Sequence, residues 1–134
     1  MRIRYALFLI PYRFNFSKQT ASLSDLSLKV AGDLPSRRVH EDAAVIAFHD
    51  IAPRAPTHIL VVPRDHIPSV LDLTEAHAPL LGRLFHVAAE IARREGIAER
   101  GYRLVSNVGD WGGQSVDHLH WHLMGGRSMT WPPG

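Results

Sequence analysis

Three histidines, His118, His120 and His122, alternate with Leu119, Trp121 and Leu123 near the C-terminal end of this chain. Near neutral pH, imidazole is the side chain best able to serve as nucleophile, acid, base or metal ligand. Successive side chains of an extended segment point to opposite faces. The spacing therefore predicts three imidazoles projecting together from one strand, with the apolar residues facing the other way. Exposure on a solvated sheet face is the plain reading of such a row, and a shared metal ion is the second. For one ion, however, His118 and His122 would stand about 13 Å apart at roughly 3.3 Å per residue. That is too far for nitrogen bonds of about 2 Å. Nucleophilic attack on phosphorus is the third reading. Gly112-Gly113-Gln114-Ser115 stands immediately before the row. Glycines let backbone N–H groups approach an anion closely, and the glutamine and serine add donors for charge building on non-bridging oxygens. Row and loop together favour this third chemistry.

Such residues need elements to hold them. Runs at 37–41, 44–48, 58–63, 102–107 and 116–124 predict five short strands, with Asp42-Ala43 as the turn after the first. Between the second and third, Pro53 and Pro56 rule out regular structure. Pro79 suits a first helical turn; Leu80, Leu81, Leu84, Val87, Ala88 and Ile91 recur at helical spacing, and Gly96 is placed to stop the helix. Short strands, one substantial helix and no βαβ rhythm argue an α+β fold with a mainly antiparallel sheet.

Composition narrows the class further. The chain's 134 residues, 46% hydrophobic and 21% charged, suffice for one domain with a real core and exclude wholesale disorder. The absence of cysteine excludes disulfides, cysteine-held zinc and a thiol nucleophile. The longest apolar run, 5–11, falls well short of the roughly 20 residues that span a bilayer, so no membrane partner is expected. Residues 1–24 carry Arg2, Arg4, Arg13 and Lys18 and no acid, which leaves the rest of the chain net acidic. The folded part thus lacks the basic excess of a nucleic-acid binder. Residues 1–24 read as a basic N-terminal extension whose composition resembles an organellar presequence, and residues 25–134 as one domain. An intracellular, cytoplasmic setting is expected, with a mitochondrion or other organelle as the alternative the extension offers.

His118-Leu-His120-Trp-His122-Leu-Met behind Gly112-Gly-Gln-Ser-Val resembles the signature of the histidine triad (HIT) superfamily. Phe48-His-Asp-Ile-Ala-Pro-Arg-Ala-Pro-Thr-His58, the following Ile-Leu-Val-Val-Pro63, His66-Ile and the terminal Trp131-Pro-Pro-Gly134 are similar to its Hint branch. The resemblance covers roughly residues 28–134. It implies a HIT-like fold: a five-stranded, mainly antiparallel sheet with one long helix and a shorter N-terminal helix, the sheets joined in a homodimer. It also implies hydrolysis of purine nucleoside 5′-phosphoramidates, such as adenosine 5′-monophosphoramidate, through a nucleotidyl-histidine intermediate, with no metal or cofactor.

By the same resemblance His120 matches the nucleophile and His122 the residue that contacts phosphate and supports protonation of the leaving group. His118 would orient the row through its backbone and ring, and His58 would stand near the phosphate. Asn107, Gly113 and Ser115 match phosphate-contacting positions, and Gln114 would help aim a water. Asp50 matches the carboxylate that takes both ribose hydroxyls. Phe48, Ile51, His49, Val39 and Leu26 match nucleoside-pocket positions, and Trp131 a contact near the partner protomer's site. Asp117 and Trp121 depart from the family's usual residues, on the face predicted to lie away from the row. His40 stands where an apolar residue is expected; His66, His77 and His86 read as surface or helix-packing residues. Two other readings remain: a nucleotide-binding regulator or scaffold without catalysis, and a dinucleoside polyphosphate hydrolase of the same superfamily, against which the Trp-Pro-Pro-Gly ending argues.

Overall fold

The computed structural model describes Val30, Gly32 and residues 36–134. The N-terminal extension, the shorter helix expected near it and Leu26 lie outside the described residues. Strands β1 (Arg38–Glu41), β2 (Val45–His49) and β3 (Thr57–Pro63) come first in the chain. Two single-turn 3-10 helices, Val70–Asp72 and Glu75–His77, lead into helix α1 (Ala78–Arg94), and β4 (Arg103–Val105) and β5 (Trp121–Gly125) follow. The five strands form one sheet in the order β1-β2-β3-β5-β4, every neighbouring pair antiparallel. Among the described residues no helix is long and apolar enough to cross a membrane.

The alternation of side chains sorts the sheet into two faces. Val45, Ala47, Ile59, Val61 and Leu123 pack against Leu84, Val87, Ala88 and Ile91 of α1. Burying each of these larger aliphatic side chains stabilises the fold by about 1.5–3 kcal/mol. α1 ends where the sequence predicts, with Gly96 in the left-handed conformation at φ +73°. On the opposite face Ile46, Phe48 and Val62 cluster with Val30 and Val116. Leu60 stands directly across from His122, so His122 and, two residues before Leu60, His58 belong to this second face. The turn before β2 is fixed by Asp42, whose Oδ1 accepts the N–H groups of Ala44 and Val45, while Oδ2 meets His40 and Arg83 of α1. Partial burial works against its charge, but these bonds hold its carboxyl well below the usual range.

The last two strands are shorter than their runs of residues predict. β5 begins at Trp121, and 116–120 are irregular because their backbone groups are satisfied elsewhere. Val116 O takes a bond from the Gln114 side chain, Leu119 N–H donates to Ile67 O, His118 O accepts from the His120 ring, and His120 O accepts from Ser106 Oγ. Side chains, and one backbone carbonyl from outside the sheet, have replaced the ladder there.

Candidate active site

Shortening β5 changes how the histidines are presented. Only His122 sits in the strand, while His120 and His118 lie in the irregular segment before it. The expected row of three rings on one strand face is therefore corrected. The rings of His120 and His122 meet edge to face with centroids 5.0 Å apart, and that of His58 lies 5.1 Å from His122. His118, fully buried, turns its ring against His66 at 5.1 Å and donates from Nε2 to the carbonyl of Pro63 at 2.9 Å. Burial pushes His118 down to about 4, although the Pro63 bond works the other way.

His118 acts on its neighbour through its backbone. Its carbonyl lies 2.7 Å from His120 Nδ1. A carbonyl can only accept, so Nδ1 carries the proton and Nε2 is left with a lone pair. Burial, His120 being only 7% exposed, pushes its pKa below the ordinary value, which keeps the ring neutral at physiological pH. The side chain thus combines a fixed N–H with an unprotonated nitrogen, as a nucleophile requires.

His122 Nδ1 lies 2.8 Å from His58 Nε2. Burial first, then the neighbouring His120 and His58, push His122 down to about 4. His58 Nδ1 accepts the backbone N–H of Arg54 at 2.9 Å, and its Nε2 also lies 3.4 Å from Asp50 Oδ2. Burial lowers the pKa of His58, which the Asp50 charge opposes. Asp50 Oδ1 accepts the N–H of Ala52 at 2.8 Å, so the carboxylate is aimed before any ligand arrives.

One oxygen of Asp50 and one ring nitrogen each of His58 and His122 lie within 4.8 Å of one another, close enough to hold a metal ion. The surroundings of His58 do not fit one. A metal-bound imidazole donates its other N–H to an acceptor. Here the other nitrogen faces the Arg54 N–H, so a neutral ring bound through Nε2 would set two N–H groups against each other.

The glycine loop closes on itself. Gly113 N–H donates to Asp110 O, Gln114 N–H to Gly109 O, and Gly109 N–H to Gln114 Oε1. A side chain at Gly112 would collide with the carbonyl of Val108, and Gly113 has φ +81°. Both side-chain N–H groups of Gln114 are taken by Pro68 O and Val116 O, each at 2.8 Å. Gln114 therefore holds the loop rather than offering N–H groups to a water. The Asn107 side chain lies beside Gly113, and the Ser115 hydroxyl is exposed with no partner among the described residues.

Of the expected nucleoside positions, Asp50 alone joins the histidine cluster directly. Phe48 is 1% exposed within the core cluster of that face, so it backs the site rather than offering an open stacking surface. Ile51 is 70% exposed beside Asp50 in the chain. Val39 packs against the helix-side core, and the alternation of β2 puts His49 in line with Val45 and Ala47. Both are thereby on the face away from His58 and His122. Trp131 is 82% exposed. His66, read from the sequence as a surface or helix-packing residue, is instead part of the packing around His118, with Nδ1 3.4 Å from His118 Nδ1. Its position three residues beyond Pro63 was the available signal. The Arg54 N–H and the Pro63 carbonyl are backbone groups, for which residue type carries none.

The model of the HIT domain matches residues 31–129. A protein of Escherichia coli named purine nucleoside phosphoramidase is 53% identical over 97 residues, which are 72% of this chain and 82% of that protein. One of Arabidopsis thaliana named adenylylsulfatase HINT1 is 48% identical over 107 residues, 78% of this chain and 72% of that one. The crystal structure of a HIT family hydrolase from Legionella pneumophila superposes with a TM-score of 0.79 at 47% identity, covering 80% of this chain and 96% of that chain.

Proposed function

This chain belongs to the HIT domain family, and on that premise we propose that it cleaves the phosphorus–nitrogen bond of purine nucleoside 5′-phosphoramidates. The observation that carries the reading is the protonation fixed on His120: Nδ1–H bound to the His118 carbonyl and a free lone pair on Nε2. In this scheme His120 Nε2 attacks phosphorus while the phosphorus–nitrogen bond breaks, and the Nε2–H of neutral His122 hydrogen-bonds the departing nitrogen, which takes its proton from solvent. Water then attacks the nucleotidyl-His120 bond, giving up a proton to solvent and releasing a nucleoside monophosphate and neutral His120. Asn107 and Ser115 would meet the charge on the phosphate oxygens, and Asp50 the ribose hydroxyls. The scheme calls for no metal and no cofactor. A homodimer, with Trp131 near the partner's site, completes the reading.

The test is steady-state hydrolysis of adenosine 5′-monophosphoramidate and a tryptamine phosphoramidate, with EDTA present, for the wild type beside His120→Ala. Turnover is expected to vanish in the variant while AMP still binds; a fully active His120→Ala would sink the assignment. The Arabidopsis relative's name gives a second reading, adenylyl sulfate as substrate. Sulfate departs without a proton, so His122→Ala should slow the phosphoramidate far more than adenylyl sulfate, by a factor of about 10²–10⁴. Equal slowing on both would remove His122 from the departure of the amine.

A further inference from the structure

Adjacent histidines with opposite duties need their protons on opposite nitrogens, and something must hold them there. The His58–His122 bond joins two ring nitrogens at 2.8 Å, and by itself it does not say which donates. The answer comes from the other side of His58. A backbone N–H cannot accept, so His58 Nδ1, bonded to the Arg54 N–H at 2.9 Å, holds a lone pair. The proton of neutral His58 is then on Nε2. It donates to His122 Nδ1, which leaves the proton of neutral His122 on Nε2.

Arg54 is itself held in place from several directions. The Arg127 guanidinium donates from Nη2 to the Arg54 carbonyl at 3.0 Å. Pro53 and Pro56 fix φ on either side. Gly126, next to Arg127, approaches so closely that a Cβ there would come within 2.8 Å of Pro56. Ala52 is tied to Asp50.

We propose that Arg54, through its backbone N–H, and Arg127, through its bond to the Arg54 carbonyl, are positioning residues that fix the proton of His122 on Nε2, ready for the leaving group. The inference rests on the phosphoramidase reading only for its consequence in turnover; the proton positions themselves do not depend on it. His120 carries its proton on Nδ1 and His122 on Nε2, so the two neighbouring rings offer a lone pair and an N–H from equivalent nitrogens. Removing the Arg54 N–H frees His58 to reverse, and with it His122.

The first measurement is the 15N NMR signature of the ring nitrogens at neutral pH in the whole wild-type protein. Expected are a protonated Nε2 in His58 and His122 and a protonated Nδ1 in His120; His122 protonated on Nδ1 would overturn the proposal. Arg54→Pro deletes the N–H and Arg54→Ala keeps it, so loss of the His122 pattern is expected in the first variant and its retention in the second. Hydrolysis of a tryptamine phosphoramidate is then compared with that of the p-nitrophenyl ester of AMP, whose leaving group needs no proton. The ratio of the two rates is expected to fall about 100-fold in Arg54→Pro, to fall less in Arg127→Ala, and to hold in Arg54→Ala. A ratio unchanged in Arg54→Pro, or an unaltered His122 pattern in it, refutes the assignment. Should the wild type hydrolyse neither compound, the phosphoramidase reading fails while the spectra still decide the proton positions.

Discussion

At the scale of single residues, the site depends on imidazoles kept neutral by burial. His118 shows the energetic side of this. Its ring holds at about 4 in the folded protein against 6.5 ordinarily. Above pH 6.5 it is neutral in both states and contributes no pH dependence. Between pH 6.5 and about 4 the unfolded chain takes the proton first, so stability falls with pH, by about 3 kcal/mol for this ring over the whole interval. Thermal unfolding followed from pH 7 to pH 4.5 should show the decline, and His118→Gln, though less stable at pH 7, should show a shallower one. An equally steep decline in that variant would assign it to other groups. The residue types of this cluster were legible in the sequence: His120, His122 and His58 do come together. Their proton positions were not, because these depend on the carbonyl of His118 and the amide of Arg54, which any residue type would supply.

At the scale of elements, the sheet separates stability from chemistry. Helix α1 covers one face and the histidines occupy the other, so damage to each should be read by different instruments. Leu84, 2% exposed on α1, should cost about 2–5 kcal/mol when cut to alanine. Urea unfolding would register the loss, while kcat measured where the variant is still folded should stay near that of the wild type. Gly126→Ala is the converse case. Gly126 has φ +89° and has Pro56 close against it. Alanine there should cost of order 1–3 kcal/mol and also shift the segment that carries Arg54, so turnover should fall more than the stability loss explains. The five strands and α1 followed from apolar periodicity, and the turn at Asp42 from its residue type; the order of the strands did not. The start of β5 did not follow. Alternation at 116–124 looks the same whether backbone groups pair with a neighbouring strand or, as here, with Gln114, Ser106 and Ile67. Hydrogen bonds to side chains and to other segments leave no mark on the apolar alternation.

At the scale of the whole molecule, β4 ends the sheet with three residues and an outer edge that pairs with no strand among the described residues. Beside it in the sheet, β5 carries Trp121, stacked edge to face with the half-exposed Phe85 of α1. Light scattering of the full chain should give the mass of two chains if the proposed homodimer forms. Trp131→Ala should then alter KM without dissociating the pair, provided that Trp131 lies near the partner's site as the reading has it. The His58–His122 bond joins residues 64 positions apart, whereas Asp50 and His58 meet across a turn of the β2–β3 hairpin. Loop-closure entropy grows with the logarithm of length, so the longer closure is costlier by about 1.8 kcal/mol. The β1–β2–β3 hairpins can therefore assemble while His122 is still far from His58, and His122 arrives only when β5 pairs with β3. During refolding, the sheet's far-ultraviolet signal should rise before turnover does. A half-built chain holds Asp50 and His58 but not the His122 that completes the cluster.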